Sequence, residues 1–143
     1  MYEDRFTPSE IRELADNEVF VFGSNVQGEH VGGAAKCAVE SFGAVMGEGF
    51  GSQGKCFAIP TCNRVGEGSL RHTEPIKDIE EIRLYVNKFV ETAKYYNGNI
   101  YYVTKIGCGI AGFKVEDIAP LFKECLPLNN VFMPQEFFEV LSK

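Results

Sequence analysis

Three short, nearly uninterrupted runs of apolar, β-branched and aromatic residues constrain the fold of this chain more than any other feature. They cover residues 18–22 (EVFVF), 55–59 (KCFAI) and 100–106 (IYYVTKI). Runs of this length and composition are typical of strands that are buried on both faces, as in parallel sheets. We expect the first strand to end at Gly23 and the second to be closed by Pro60.

Helical periodicity separates these strands. Apolar residues recur at helical spacing over 32–42 and again over 79–93, and glycine follows each pattern. Thr7-Pro8-Ser9-Glu10 has the form of a capping box with proline at the first helical position, which predicts a helix through residue 15. The remaining predictions are a loop over 43–54, an exposed excursion over 62–74, a helix over 115–124, a short strand over 130–133 and a last helix from Pro134.

The alternation of strands and helices predicts an α/β fold, a three-layer α/β/α sandwich around a mixed, mostly parallel sheet. A chain of 143 residues suits one domain, residues 1–143, with a single core. In open sheets of this kind ligands bind at the carboxyl ends of the strands. The loops after residues 22, 59 and 106 are therefore the expected functional edge.

Composition excludes several classes of function. A formal net charge of −6 argues against sequence-independent nucleic-acid binding, which depends on clustered Lys and Arg. No segment is apolar enough to suggest a membrane partner, and the acidic N-terminus is unlike a signal peptide, so we expect a cytoplasmic protein. Five scattered cysteines and two histidines show no ligand spacing, which predicts reduced thiols, no metal site and no cofactor.

The segment GFGSQGKC at 49–56 is within one residue of the nucleotide-binding pattern G-x-x-x-x-G-K-[ST]. It departs from that pattern at Cys56, where magnesium coordination needs a hydroxyl, and it precedes a predicted strand instead of following one. A glycine-rich connection accounts for it better.

Two other glycine-rich segments have the context of an anion site. GSNVQGEHVGGAA at 23–35 and IGCGIAGF at 106–113 each leave a predicted buried strand and lead into a helix. Main-chain amides in such turns can form an anion-binding nest, and glycines let the chain approach a phosphate closely. Tight turns without a ligand are the alternative. Asn25 stands where a side-chain amide could bind sugar hydroxyls.

Catalytic candidates are few. Cys108 lies between two glycines and is either a nucleophile or a small residue in a tight turn, and the second is favoured because no His or acid adjoins it. His30 is a candidate base if it faces the site, and Lys105 is another candidate. For Lys36 and Lys55 surface charge is the preferred interpretation.

Taken together, the strand-end segments resemble macrodomains, the ADP-ribose-binding family. Asn25 followed by HVGGAA at 30–35 is similar to the family's asparagine segment and helix-opening glycine run. GKCFAIP at 54–60 and GCGIAGF at 107–113 resemble its second strand and its phosphate loop. GCG with a following aliphatic residue is similar in particular to the branch that contains the terminal ADP-ribose protein glycohydrolase. The resemblance covers about residues 18–124.

The resemblance implies a macrodomain-like sandwich that binds ADP-ribose or a related nucleotide diphosphate sugar, free or attached to a macromolecule, with Phe113 near the sugar or base. An alternative is an ADP-ribosyl hydrolase, but Ala35, Cys62 and Ala111 stand where hydrolytic branches have acids or a lysine. Binding is therefore favoured over turnover, and an α/β interaction protein without a ligand is a third interpretation. The implied ligand contacts are Asn25, Gly32, Gly33, Gly107, Cys108, Gly109, Ile110, Ala111, Gly112 and Phe113.

Overall fold

The computed structural model describes residues 2–143 and is an α/β fold with six strands and four α-helices. Three 3-10 helices, Glu3–Arg5, Gly68–Leu70 and Ala119–Cys125, complete the described part of the chain. In chain order the elements are β1 (Glu18–Asn25), α1 (Gly33–Ser41), β2 (Gly51–Gln53), β3 (Cys56–Val65), β4 (His72–Pro75), α2 (Ile79–Tyr95), β5 (Ile100–Val103), α3 (Val115–Ile118), β6 (Val131–Phe132) and α4 (Gln135–Leu141).

The sheet is mixed, with the order β2-β3-β1-β5-β6. β1 lies in its centre and pairs in parallel with β3 on one side and β5 on the other, and β5 pairs in parallel with β6. β2 and β4 pair antiparallel with β3. The carboxyl ends of β1, β3 and β5 consequently lie at one edge, as the alternation of strands and helices predicts.

Both faces of β1 are buried, because successive side chains of a strand point to opposite faces. Phe20 and Phe22 belong to a cluster with residues of α1, whereas Val21 belongs to a larger cluster with residues of α2, α4 and the other strands. Complete burial of one such side chain contributes about 1.5–3 kcal/mol. The predicted pattern on α2 is confirmed, since Ile82, Val86, Phe89, Val90 and Ala93 are its buried residues.

The helix predicted over residues 7–15 is wrong, since this segment has no helical structure. Thr7 does not cap a helix: its N–H donates to the carbonyl of Met133 at 2.9 Å and its hydroxyl donates to the carbonyl of Val103 at 2.7 Å. Ile11 and Leu14 pack against the cluster on the α1 face from an irregular chain. Tertiary partners have thus replaced the local capping pattern.

Several predicted boundaries also need correction. β1 continues past Gly23 to Asn25, and β3 passes through Pro60 to Val65. The register between β1 and β3 shifts after Ser24, which leaves Thr61 without a paired residue. Such an irregularity tolerates a proline inside a strand, because the ladder is already interrupted there.

The predicted loops contain short strands, and two predicted elements are shorter than expected. β2 lies inside the predicted loop 43–54, and β4 begins inside the predicted excursion 62–74 and ends one residue beyond it. β5 ends at Val103, and the helix expected over 115–124 is α3 followed by a 3-10 helix that has Pro120 near its start. Among residues 2–143, no helix is both long and apolar enough to span a bilayer.

Candidate functional site

A cavity of about 320 Å³ lies at the carboxyl ends of the parallel strands. This volume is within the usual range for small-molecule sites, and the position is the one that open α/β sheets use for ligands. Its wall is formed by the end of β1 and the loop to α1, the middle of β3 with one residue of β4, and the loop after β5. The lining residues are Gly23, Ser24, Asn25, Glu29, Val31, Gly32, Gly33, Ala34, Ala35, Thr61, Cys62, Thr73, Thr104, Lys105, Ile106, Gly107, Gly109, Ile110 and Ala111.

The first wall contains the N-terminus of α1. Gly32 is its N-cap and supplies no side-chain cap, and the first helical hydrogen bond runs from the N–H of Lys36 to the carbonyl of Gly32 at 3.3 Å. The N–H groups of Gly33, Ala34 and Ala35 therefore have no acceptor within residues 2–143. They also carry the positive end of the helix dipole.

The second wall is the loop over 106–113, which is folded by its own main chain. Cys108 N–H donates to Lys105, Gly112 N–H to Gly109 and Phe113 N–H to Gly107. This turn leaves a set of main-chain N–H groups without an acceptor in the described chain, and all of them belong to residues that line the cavity. The set is Gly107, Gly109, Ile110 and Ala111.

The two walls approach each other closely where glycines permit it. A Cβ added at Gly23 would lie 3.4 Å from the main-chain nitrogen of Gly107, and one added at Gly32 would lie 3.7 Å from Cδ1 of Ile110. The segments that the sequence predicts to form anion nests therefore face one cavity, although they are about 80 residues apart in the chain.

Asn25 lines the cavity, but its side chain first of all organises the loop. Its Oδ1 accepts from the N–H of Glu29, and its Nδ2 donates to the carbonyl of Glu29, both at 2.8 Å. The amide group has a second Nδ2 hydrogen that this contact does not use. Asn25 thus holds the first wall in shape and keeps one donor for a ligand.

The segment GFGSQGKC does not line the cavity. Its first residues and those just before them support the first wall from behind: the hydroxyl of Ser24 donates to the carbonyl of Gly49, and the N–H of Gly47 donates to the carbonyl of Gly28. A Cβ at Gly49 would lie 2.3 Å from the carbonyl oxygen of Asn25, so only glycine fits. Its role is close packing, which agrees with rejecting the nucleotide-binding pattern.

His30 faces this supporting segment and not the cavity. The side chain is buried, its Nε2 lies 3.0 Å from the carbonyl oxygen of Glu48, and its ring packs edge-on against Phe22 at 5.3 Å. Because a carbonyl oxygen only accepts hydrogen bonds, Nε2 is the donor in this contact. In this arrangement His30 does not meet the condition that the sequence analysis set for a catalytic base.

Lys105 lines the cavity, and its ammonium group is paired with the carboxylate of Glu136 at the start of α4. This hydrogen bond raises the pKa of Lys105 above its ordinary value, so the side chain stays charged. A charged ammonium cannot accept a proton, so Lys105 is unsuited to act as a base.

The other residues of the second loop that were expected at the ligand lie outside the wall. Phe113 packs against the larger hydrophobic cluster and reaches Gly107, where an added Cβ would lie 3.4 Å from its ring. The thiol of Cys108 lies 3.5 Å from the carbonyl oxygen of Ile106, and burial raises its pKa, which disfavours a thiolate nucleophile. Gly112 permits the turn, with a φ of +78°.

The segment after residue 59 was expected at the functional edge, but no ligand-binding side chain was predicted on the side of the cavity next to β3. Glu29, Thr61 and Thr73 line it there, together with Cys62, whose pKa is raised by burial. Glu29 is hydrogen-bonded by Arg71, which lowers the pKa of the carboxyl group below its ordinary value. No periodicity or spacing marks these positions, because they become neighbours only through the pairing of β3 with β1 and β4.

Comparisons with protein-family models, with curated proteins and with solved structures found no match to this chain. The chemistry of the site is therefore inferred from the groups that line the cavity. Among residues 2–143 no cluster of His, Cys, Asp and Glu has the geometry of a metal site. Seven of the lining residues have main-chain N–H groups without an acceptor in the described chain, and an array of amides beside a helix N-terminus is suited to hold an anion.

Proposed function

We propose that this chain binds ADP-ribose or a related nucleotide diphosphate sugar, in a three-layer macrodomain-like fold. The observation that carries the proposal is that seven residues whose main-chain N–H groups have no acceptor in the described chain line one cavity, three at the start of α1 and four in the loop after β5. A diphosphate supplies acceptors for several such amides at once.

Local groups favour an anion despite the acidic chain. The formal net charge is −6, so the overall field repels a diphosphate. Within the cavity, the positive end of the α1 dipole opposes that field, and its effect is confined to groups near the first turn of the helix. This arrangement favours a ligand whose anionic part is short and fully inserted, as in a nucleotide diphosphate sugar, over a long polyanion such as a nucleic acid.

Binding is tested by calorimetry and by a thermal-shift panel of ADP-ribose, AMP, NAD and inorganic phosphate. We expect one ADP-ribose per chain. At a hundredfold excess over the dissociation constant the ligand should stabilise the fold by about 2.7 kcal/mol, a melting shift of roughly 6–10 °C. Absence of any heat or shift at millimolar ADP-ribose would contradict the proposal.

Turnover has less support than binding. Neither candidate for proton transfer is placed to act as a base on a ligand, since His30 lies outside the cavity against Phe22 and Glu48 and the Lys105 ammonium is paired with Glu136. General acid-base assistance contributes about 10²- to 10⁴-fold to such reactions. An array of donors without a free base is therefore better suited to holding ADP-ribose than to releasing it.

In a single-turnover assay with an ADP-ribosylated peptide, we expect no release of ADP-ribose beyond that of a buffer control. Wild-type protein in excess over the peptide is the sample, and the Lys105→Met variant is the comparison. Release that is faster with wild-type protein and slower with Lys105→Met would establish hydrolysis and would assign Lys105 a part in it.

A further inference from the structure

The cavity has two chemically different ends. The loop after β5 contributes amide donors, whereas the side next to β3 contributes the carboxylate of Glu29 and the hydroxyls of Thr61 and Thr73. β3 and β5 pair with opposite edges of β1, so the two ends are separated by two strand spacings, about 10 Å. One ligand can therefore place different groups at the two ends.

Glu29 is held in a fixed position at the second end. The Arg71 Nε lies 2.9 Å from Oε1 and 3.0 Å from Oε2, the Arg71 Nη2 contacts Oε2, and the Arg64 Nε lies 3.5 Å from Oε1. The Arg64 Nη1 in turn donates to the hydroxyl of Thr73 at 2.9 Å. The same arginine hydrogen bonds that lower the pKa of Glu29 keep it ionised at neutral pH.

An ionised carboxylate selects the kind of group that can occupy this end. It only accepts hydrogen bonds, and it offers about four lone-pair sites. Oε1 receives one hydrogen bond within residues 2–143, so it can accept another. The esterified diphosphate of a nucleotide sugar has no hydrogen-bond donor at neutral pH and cannot bond to this carboxylate, whereas adjacent sugar hydroxyls are donors that form strong charge-assisted bonds with it.

We propose that Glu29 binds the vicinal hydroxyls of a ribose of the ligand and so determines that the site takes a nucleotide diphosphate sugar and not a bare diphosphate. This inference rests on the proposed function. The free Nδ2 hydrogen of Asn25 and the hydroxyl of Thr73 are further partners on the same side of the cavity. The ribose belongs either to the adenosine or to the terminal sugar, which share this chemistry.

The Glu29→Gln variant tests the inference with inorganic pyrophosphate, ADP and ADP-ribose, each titrated by calorimetry or by NMR up to millimolar concentration. Pyrophosphate should bind the variant as well as wild type or better, since it has no sugar hydroxyls for Glu29 to bind. We expect the affinity for ADP-ribose to fall about tenfold or more, the usual loss for a hydrogen bond to a charged group. A loss for ADP-ribose alone places the terminal ribose at Glu29, and an equal loss for ADP places the adenosine ribose there.

Two outcomes overturn the inference alone: undiminished binding of ADP-ribose by Glu29→Gln, or an equal loss for all three ligands. If wild-type protein binds none of the three ligands, both the proposed function and this inference are contradicted. Glu29→Asp keeps the charge beside Arg71 but withdraws the carboxylate by one methylene, so it gives the same test if Glu29→Gln unfolds. Glu40→Gln, at an exposed position of α1, should leave all three affinities unchanged.

Discussion

Gly109→Glu is expected to abolish ADP-ribose binding without unfolding the protein. Gly109 lines the cavity, an added Cβ there meets no atom within 4 Å, and its backbone is outside the left-handed region. A carboxylate at this point stands among the amides that are proposed to hold the diphosphate. Juxtaposed like charges cost several kcal/mol, so the affinity should fall at least about a hundredfold. Calorimetry measures the loss.

Matched variants separate charge from size and from chain stability. Gly98→Glu makes the same change at a glycine that is equally open, has ordinary backbone geometry and lies outside the cavity, so its affinity should equal that of wild type. Gly109→Gln introduces a side chain of the size of Glu without its charge, so its affinity for ADP-ribose should fall less than that of Gly109→Glu. Gly33 is a poorer place for this test, because its φ of +58° makes any side chain strained. Full binding by Gly109→Glu would show that the loop after β5 does not hold the anion.

The parts of the fold that were predictable are those specified by local pattern. β1 and α2 follow from an apolar run and from a helical repeat of buried positions, and burial on the sheet enforces both patterns. The N-terminal segment shows the limit. Thr7 and Pro8 have the local signature of a helix start, yet the hydrogen-bonding groups of Thr7 bind Val103 and Met133, which are 96 and 126 residues away. A pattern within ten residues contains no information about such partners.

The candidate site was predictable to a similar extent. Glycine runs that leave buried strands identify the two amide walls, because glycine is needed wherever a chain turns tightly or another chain approaches. Which way a side chain turns was not predictable: His30, between two such glycines, packs on Phe22 and not into the cavity. The contact of Glu29 with Arg71 joins residues 42 positions apart, through a β3–β4 hairpin that the sequence analysis treated as a surface excursion.

Arg5→Met is expected to give the largest loss of stability of any single change considered, about 3–5 kcal/mol. The Arg5 guanidinium is buried with only 7% of the residue exposed, and it donates to the carbonyls of Cys125, Leu126 and Val131 at distances of 2.8–3.1 Å. These bonds join the N-terminal segment to the end of a 3-10 helix and to β6. Methionine fills much of the space but removes the donors of the Leu126 and Val131 carbonyls, whereas the carbonyl of Cys125 keeps the N–H of Leu128 at 3.0 Å. Urea unfolding of wild type and variant measures the difference.

The loss of stability in Arg5→Met depends on the planar, forked arrangement of the guanidinium N–H donors and not only on the charge of the group. Arg5→Lys keeps a cation near the C-terminal end of the 3-10 helix, but a single ammonium cannot reach three separate carbonyls in the same geometry, so we expect an intermediate loss. Arg12→Met is the control, because its side chain is 81% exposed and its ion pair with Glu10 is on the surface, where such pairs contribute about 0–1 kcal/mol. If Arg5→Met and Arg12→Met unfold at the same urea concentration, the carbonyls at Cys125, Leu126 and Val131 find other donors, and Arg5 does not fix the N-terminal segment to the sheet edge.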